Sequence, residues 1–112
     1  MSEKDRANFL AILDSCEKIK KFCKGILTAD EFYEDEKTFD AVMMNFVVIG
    51  EAVSRLSETT KLSNPAIPWI KIKGLRNIVA HEYFGIDAEE IWQIISNDLP
   101  SLIVNIQKIL ED

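Results

Sequence analysis

Histidine occurs once in this chain, cysteine twice, proline three times and glycine four times. With one imidazole and two thiols, a zinc site within a single chain is not expected. Cys16 and Cys23 stand two helical turns apart, which puts their α-carbons about 10 Å from each other and beyond disulfide reach; they read as core residues. Cations are short as well: 13 Lys and Arg against 19 Asp and Glu give a net charge of −6. That is the wrong sign for a protein held on nucleic acid by bulk electrostatics. Long apolar runs are missing too. "AVMM" and "FVVIG" around Asn45 fall far short of the roughly 20 residues needed to span a bilayer. The start, "MSEKDRANFL", has no unbroken apolar stretch of the signal-peptide kind. No membrane contact and a cytoplasmic location are therefore expected.

What is present fits a globular chain. Apolar residues make up 47% and charged residues 29% of 112 positions, enough for one compact core and too few for two. No repeat, low-complexity tract or linker divides it, so residues 1–112 are expected to form one domain. The charge is uneven. Lys18, Lys20, Lys21 and Lys24 cluster in "KIKKFCK", and Lys71, Lys73 and Arg76 in "KIKGLR", while residues 30–40 and the C-terminal segment hold most carboxylates. Any contact with RNA would be local and salt-sensitive. The lysines at 18–24 read as a solvated face, with RNA attraction the lesser role.

Hydrophobic spacing predicts an all-α, antiparallel bundle of four to five helices. Phe9, Ile12, Leu13, Cys16, Ile19, Cys23 and Ile26 make one stripe on a helix from Glu3 to Lys24, stopped by Gly25. In "LTADEF", Thr28 caps, Glu31 completes a capping box, and Leu27 with Phe32 supplies the staple. From Glu36 to Glu58 the stripe is Phe39, Val42, Met43, Phe46, Ile49, Val53 and Leu56. Met44, Val47 and Val48 are apolar on its flanks, so part of this helix is expected to face another copy of the chain. Pro65 and Pro68 break the pattern, and Pro68 opens a helix running to Phe84. Gly85 is expected to end that helix in a left-handed conformation. Asp87 and Glu90 then cap the last helix, with Ile86 stapling to Ile91. Pro100 should kink or divide that helix near Asp98.

The motif that carries chemistry is "RNIVAHEYF", Arg76 to Phe84. On a helix Arg76, Ala80 and Tyr83 share one face, and Asn77 and His81 share a neighbouring stripe. Arg76 and His81 stand about 140° apart, so they do not converge unaided. The arginine can bend round, the helix can distort near Gly85, or two copies can face each other across a two-fold axis. The third arrangement gathers two arginines and two histidines over one cleft, which suits phosphodiester chemistry. Cleavage of RNA by its own 2′-hydroxyl needs a base, an acid, and positive charge on the phosphate. Histidine serves the first two near neutral pH, and arginine grips the phosphate oxygens with a planar, permanently charged fork. No metal or other cofactor is needed. Structural roles stand beside these: His81 can cap a carbonyl or pair with Glu82 or Glu51, and Tyr83 can be a half-buried residue with its hydroxyl at the surface.

Arg-x4-His-x-Tyr, here "RNIVAHEY" with Asn77 after the arginine, resembles the signature of the HepT-like branch of the HEPN superfamily. The likeness extends to "IGEAVSRLS", "PAIPW", "FGIDAEEIW" and "DLP", and covers residues 39 to 102. It implies an all-helical homodimer with its active cleft at the dimer interface, acting as a metal-independent endoribonuclease toxin. By the same resemblance Arg76 would hold the scissile phosphate and His81 would be the general acid–base. Asn77 would orient the histidine or the phosphate. Tyr83 matches the position where a minimal nucleotidyltransferase antitoxin attaches AMP, which would put phosphate charge and adenine bulk beside Arg76 and block RNA.

Other polar groups on the central helix need partners. Glu51 either orients Arg76 or His81 or, more in keeping with helical spacing, pairs with Arg55 four residues on. Trp69 and Trp92 are expected in the core or an interface, with base stacking a lesser role. A different class of function fits the acidic balance: a non-catalytic module whose dimer docks and regulates a nucleotidyltransferase, or a small nucleotide-binding domain.

Overall fold

The computed structural model describes residues 1–111, and among them there are helices, turns and short connections but no strand. Helix α1 (Glu3–Phe22) begins where the Ser2 hydroxyl accepts the amide of Asp5 at 3.1 Å, and Gly25 turns the chain with φ of 88°. Only a residue without a Cβ takes that backbone readily. Helix α2 (Ala29–Glu34) carries the expected capping box: Thr28 Oγ1 accepts from the Glu31 amide at 3.1 Å, and the Glu31 carboxylate accepts from the Leu27 amide at 2.8 Å. The expected staple does not form, because Leu27 is 79% exposed while Phe32 packs inward against Phe39 and Trp92.

Helix α3 (Glu36–Arg55) is the central element, contacting α1 on one side and α5 (Trp69–Glu82) on the other. It stops three residues before the expected Glu58, and a further short helix, α4 (Glu58–Ser63), fills what reads in sequence as a break. The cause is Asp5. Its carboxylate is almost fully buried and accepts from the Ser57 amide at 3.0 Å, the Ser57 hydroxyl at 2.7 Å and the Thr60 hydroxyl at 2.6 Å. Ser57 therefore acts as the cap of a new helix tied to the start of α1.

Helix α5 ends in a 3-10 turn, Tyr83–Gly85, and Gly85 does not take the expected left-handed conformation. Helix α6 (Ala88–Gln93), a π-helical turn (Ile94–Asp98) and α7 (Leu99–Glu111) then form one continuous rod. The predicted kink near Asp98 takes this form. Pro100 has no N–H and its ring would strike the Ser96 carbonyl in a regular helix. Widening the turn, with the Leu99 amide bonded to the Ile94 carbonyl, relieves that conflict without a break.

The directions alternate. Asp5 joins the start of α1 to the end of α3, and residues at the end of α5 meet the start of α3. Trp92 meets Phe32 at one end of the bundle, while Asn105 and Ile109 share a groove with Asn64 and Ile67 at the other. The result is an antiparallel helical bundle around one continuous core, with Phe9, Ile12, Phe32, Phe46, Ile49 and Ile106 sealed at its centre. Cys16 and Cys23 are free thiols within it. Trp69 also belongs to the core edge, tilted on Phe9 and donating Nε1 to the Lys61 and Asn64 carbonyls. No described helix is long and apolar enough to cross a membrane.

Candidate active site along helices α3 and α5

The two helices are in close contact at Gly50. A Cβ built there would lie 2.8 Å from Arg76 Cβ and 3.1 Å from both the Arg76 amide nitrogen and the Lys73 carbonyl oxygen. The absent side chain is what lets the α5 backbone lie against α3, and it fixes where Arg76 leaves its helix.

One residue further on, Glu51 Oε1 accepts from Arg76 Nε at 2.7 Å. Glu51 pairs with Arg76, then, and not with Arg55 as helical spacing suggests. The Arg76 side chain remains 53% exposed, so it is steered at Nε without being sealed in. A charge-assisted bond of this length orients the planar fork, although so exposed a pair adds little to stability.

Two turns beyond Arg76, the Tyr83 hydroxyl donates to Asp40 Oδ1. The ring packs on Phe39 with centroids 6.0 Å apart, and the adjacent Phe84 ring stands edge-on to it at 5.4 Å. Asp40 raises the phenol pKa, first through that hydrogen bond and then, beyond partial burial, through its charge together with that of Glu36. Asp40 and Glu51 lie eleven residues apart on one stripe of α3, about 16 Å along the axis; Arg76 and Tyr83 span about 10 Å of α5. Two polar clasps thus hold α5 to α3, with Met44, Val47 and Ala80 between them.

Asp40 was absent from the sequence-predicted site. The signal was available, since eleven residues is close to three full turns and puts Asp40 on the Glu51 stripe. It was obscured by lying in the acidic stretch at 30–40, which reads as solvated surface.

His81, in the last turn of α5, is exposed, and so is Asn77 one turn before it. Helical geometry sets their stripe well away from the α3-facing side where Arg76 and Tyr83 lie. Within one chain the structure therefore joins Arg76 to Glu51 but does not bring His81 to either. The His81 stripe ends in two nearly uncovered apolar residues, Ile70 at 91% and Phe84 at 99% exposure. Met44 on α3 is 61% exposed as well. Among the described residues no group of three or more His, Cys, Asp or Glu side chains is placed to hold a metal ion.

A guanidinium steered by a carboxylate, a free imidazole on the same helix and a phenol held by a second carboxylate all lie within residues 40–83. The family model described as "Ribonuclease HepT-like" matches residues 12–109, nearly the whole chain. The chain belongs to the HepT-like ribonuclease family. Relatives agree in extent. A Methanocaldococcus jannaschii protein named "Putative RNase MJ0127" is 41% identical, the match covering 100% of this chain and 93% of that protein. "Probable ribonuclease HepT" of Thermococcus cleftensis is 34% identical over 88% of each chain. "Putative RNase TTE0752" of Caldanaerobacter subterraneus is 33% identical, covering 89% of this chain and 88% of its own. No solved structure matches. Residues 76–83 fall inside the matched region.

Proposed function

We propose that this HepT-like chain is a metal-independent endoribonuclease toxin, working as a homodimer and neutralised by AMPylation of Tyr83 by a minimal nucleotidyltransferase antitoxin. The observation that carries the reading is the split of the motif residues. Arg76 is held on the α3 side by Glu51, while His81 and Asn77 stand on an open stripe bounded by Ile70 and Phe84. A monomer leaves guanidinium and imidazole apart. Pairing two copies across the face that includes Met44, Ala80 and Phe84 would bury exposed apolar side chains and gather both Arg76 and both His81 groups around one groove.

The chemistry assigned to that groove is attack of the RNA 2′-hydroxyl on the adjacent phosphorus. One His81 takes the hydroxyl proton and a protonated His81 delivers one to the departing 5′-oxygen. Arg76, oriented by Glu51, holds the non-bridging oxygens as charge accumulates on them, and Asn77 orients the imidazole or the phosphate. Purified protein should cut RNA in the presence of EDTA and leave a cyclic phosphate. His81→Ala and Arg76→Ala should each abolish cutting while the dimer persists in sedimentation. Undiminished cutting by both variants would remove this assignment.

A second reading is favoured by the carboxylates around Tyr83. Glu34, Glu36 and Asp40 line its cleft, a surface that repels RNA and suits a protein. Under this reading the chain docks and regulates a nucleotidyltransferase without cutting RNA, or binds a nucleotide. Expression alone separates the two: growth arrest that His81→Ala relieves supports the nuclease, and no arrest supports the module.

A further inference from the structure

We propose that Asp40 is the proton acceptor that activates Tyr83 as the nucleophile of nucleotidyl transfer. The inference deepens the Tyr83 reading above and rests on it. The observation is the bond between the Tyr83 hydroxyl and Asp40 Oδ1, made across 43 positions of sequence. The carboxylate is on the central helix and the phenol on a short turn, so the contact is a product of the fold rather than of local sequence.

A neutral phenol is a weak nucleophile and needs its proton taken as the new bond forms. An acceptor already in hydrogen-bond contact with the reacting oxygen is the arrangement general-base chemistry requires. Phe39, buried on α3, packs against the ring and limits where the oxygen points. Tyr83 is 37% exposed, enough for a donor to reach it. The other tyrosine is a built-in control. Tyr33 is 57% exposed and lines the same cleft, but the carboxylate contact belongs to Tyr83.

The step balances without any further reactant in this chain. The Tyr83 oxygen attacks the α-phosphorus of a nucleoside triphosphate presented by the nucleotidyltransferase with its divalent cation. The oxygen–phosphorus bond forms, the bond from the α-phosphorus to the bridging oxygen breaks, and pyrophosphate leaves. The phenolic proton passes to the Asp40 carboxylate and then to water. No basic side chain lines the cleft, so the charge on the triphosphate must be met by the transferase. The product also cannot keep the original contact: a phosphodiester has no proton to donate, and its negative charge faces Asp40 and Glu36. Modification would therefore release the Tyr83–Gly85 turn from α3, one residue beyond the helix that bears His81.

The test needs no cognate enzyme. Full-length protein is incubated with adenosine 5′-phosphorimidazolide and Mg2+, an activated AMP donor, and AMP on each tyrosine is quantified by peptide mass spectrometry. Tyr83 should label at least about tenfold faster than Tyr33, and Asp40→Asn should remove that advantage while Tyr33 labelling stays unchanged. Circular dichroism and Tyr33 labelling report whether the variant still folds; if it does not, Asp40→Glu, which restores a carboxylate, should regain the advantage. Equal labelling of Tyr83 in wild type and Asp40→Asn overturns the proposal, as does wild-type Tyr83 labelling no faster than Tyr33. RNA cutting is measured on the same labelled sample. Full cutting by Tyr83-labelled protein would sink the neutralisation reading while leaving the role of Asp40 standing.

Discussion

A methyl group added at Gly50 would stand 2.8 Å from the Cβ of Arg76. Real Cβ atoms do not approach so closely, and the opposing atoms are on a helix rather than at the end of a flexible side chain. Gly50→Ala should therefore push α5 off α3 at the point where Arg76 emerges. Overpacking of this kind costs about 1–3 kcal/mol, readable as a lower midpoint in urea. Activity should fall more than stability explains, because the Glu51–Arg76 bond spans the same gap. An unchanged midpoint together with full activity would show that the close approach is not needed.

Gly50 also marks what sequence could and could not convey. The period of the apolar stripes gave the long helices, and cap residues such as Thr28 and Asp87 gave their starts, because both are local and each residue's neighbours suffice to read them. The short helix α4 was missed since its cap depends on Asp5, a residue 52 positions away. Sequence favours Arg55 over Arg76 as the partner of Glu51 for the same reason: Arg55 is near in sequence, and Arg76 is near only after α5 has docked. Asp40 likewise acquires meaning only through Tyr83. Glu51 was legible as one of two pairings, while Asp40 was not.

Asp5 should make the fold acid-sensitive. Burial alone would raise its pKa, but the hydrogen bonds from Thr60 and Ser57 outweigh that and hold it below the ordinary carboxylate value. A depressed pKa contributes stability that is present above about pH 4 and lost as pH falls through the folded value. Asp5→Asn should lose about 2 kcal/mol at neutral pH, the scale for hydrogen bonds to a charged group. It should also flatten the fall in stability below about pH 4. Parallel acid profiles for wild type and variant would contradict this.

Tyr83 should titrate late. Its hydrogen bond to Asp40 favours the neutral phenol and moves its pKa above the ordinary tyrosine range. In a Tyr33→Phe background, absorbance at the phenolate band should rise only above about pH 10. Adding Asp40→Asn should bring that rise to lower pH, since both the acceptor and the nearby charge are weakened. Because the folded pKa is raised, the bond's stabilisation is present below about pH 10 and lost above the folded value. A titration that Asp40→Asn leaves in place would show that the clasp does not persist in solution.

The two thiols should be inert while the protein is folded. Burial pushes Cys16 up to about 12 and Cys23 to about 11. Only the thiolate reacts, so at pH 8 the reactive fraction is on the order of one in ten thousand and one in a thousand respectively. A disulfide reagent at pH 8 should modify neither at a useful rate, and both should react once denaturant exposes them. Rapid modification of Cys16 without unfolding would mean that α1 opens more easily than its sealed core contacts suggest.

The proposed dimer is tested most directly by its apolar face. Phe84 is 99% and Met44 61% exposed in the single chain, apolar surface that pairing two copies would take out of water. If two copies meet across them, a carboxylate at either position must be desolvated or must face its symmetry mate, and both cost binding energy. Phe84→Glu and Met44→Glu should therefore shift the protein toward monomer in sedimentation while leaving its helical content intact. RNA cutting should fall in step with the dimer fraction, and should recover as protein concentration rises, because each monomer holds Arg76 and His81 apart. A variant that sediments as a monomer yet cuts at the wild-type rate would show that one chain suffices and that the interface plays no part in catalysis.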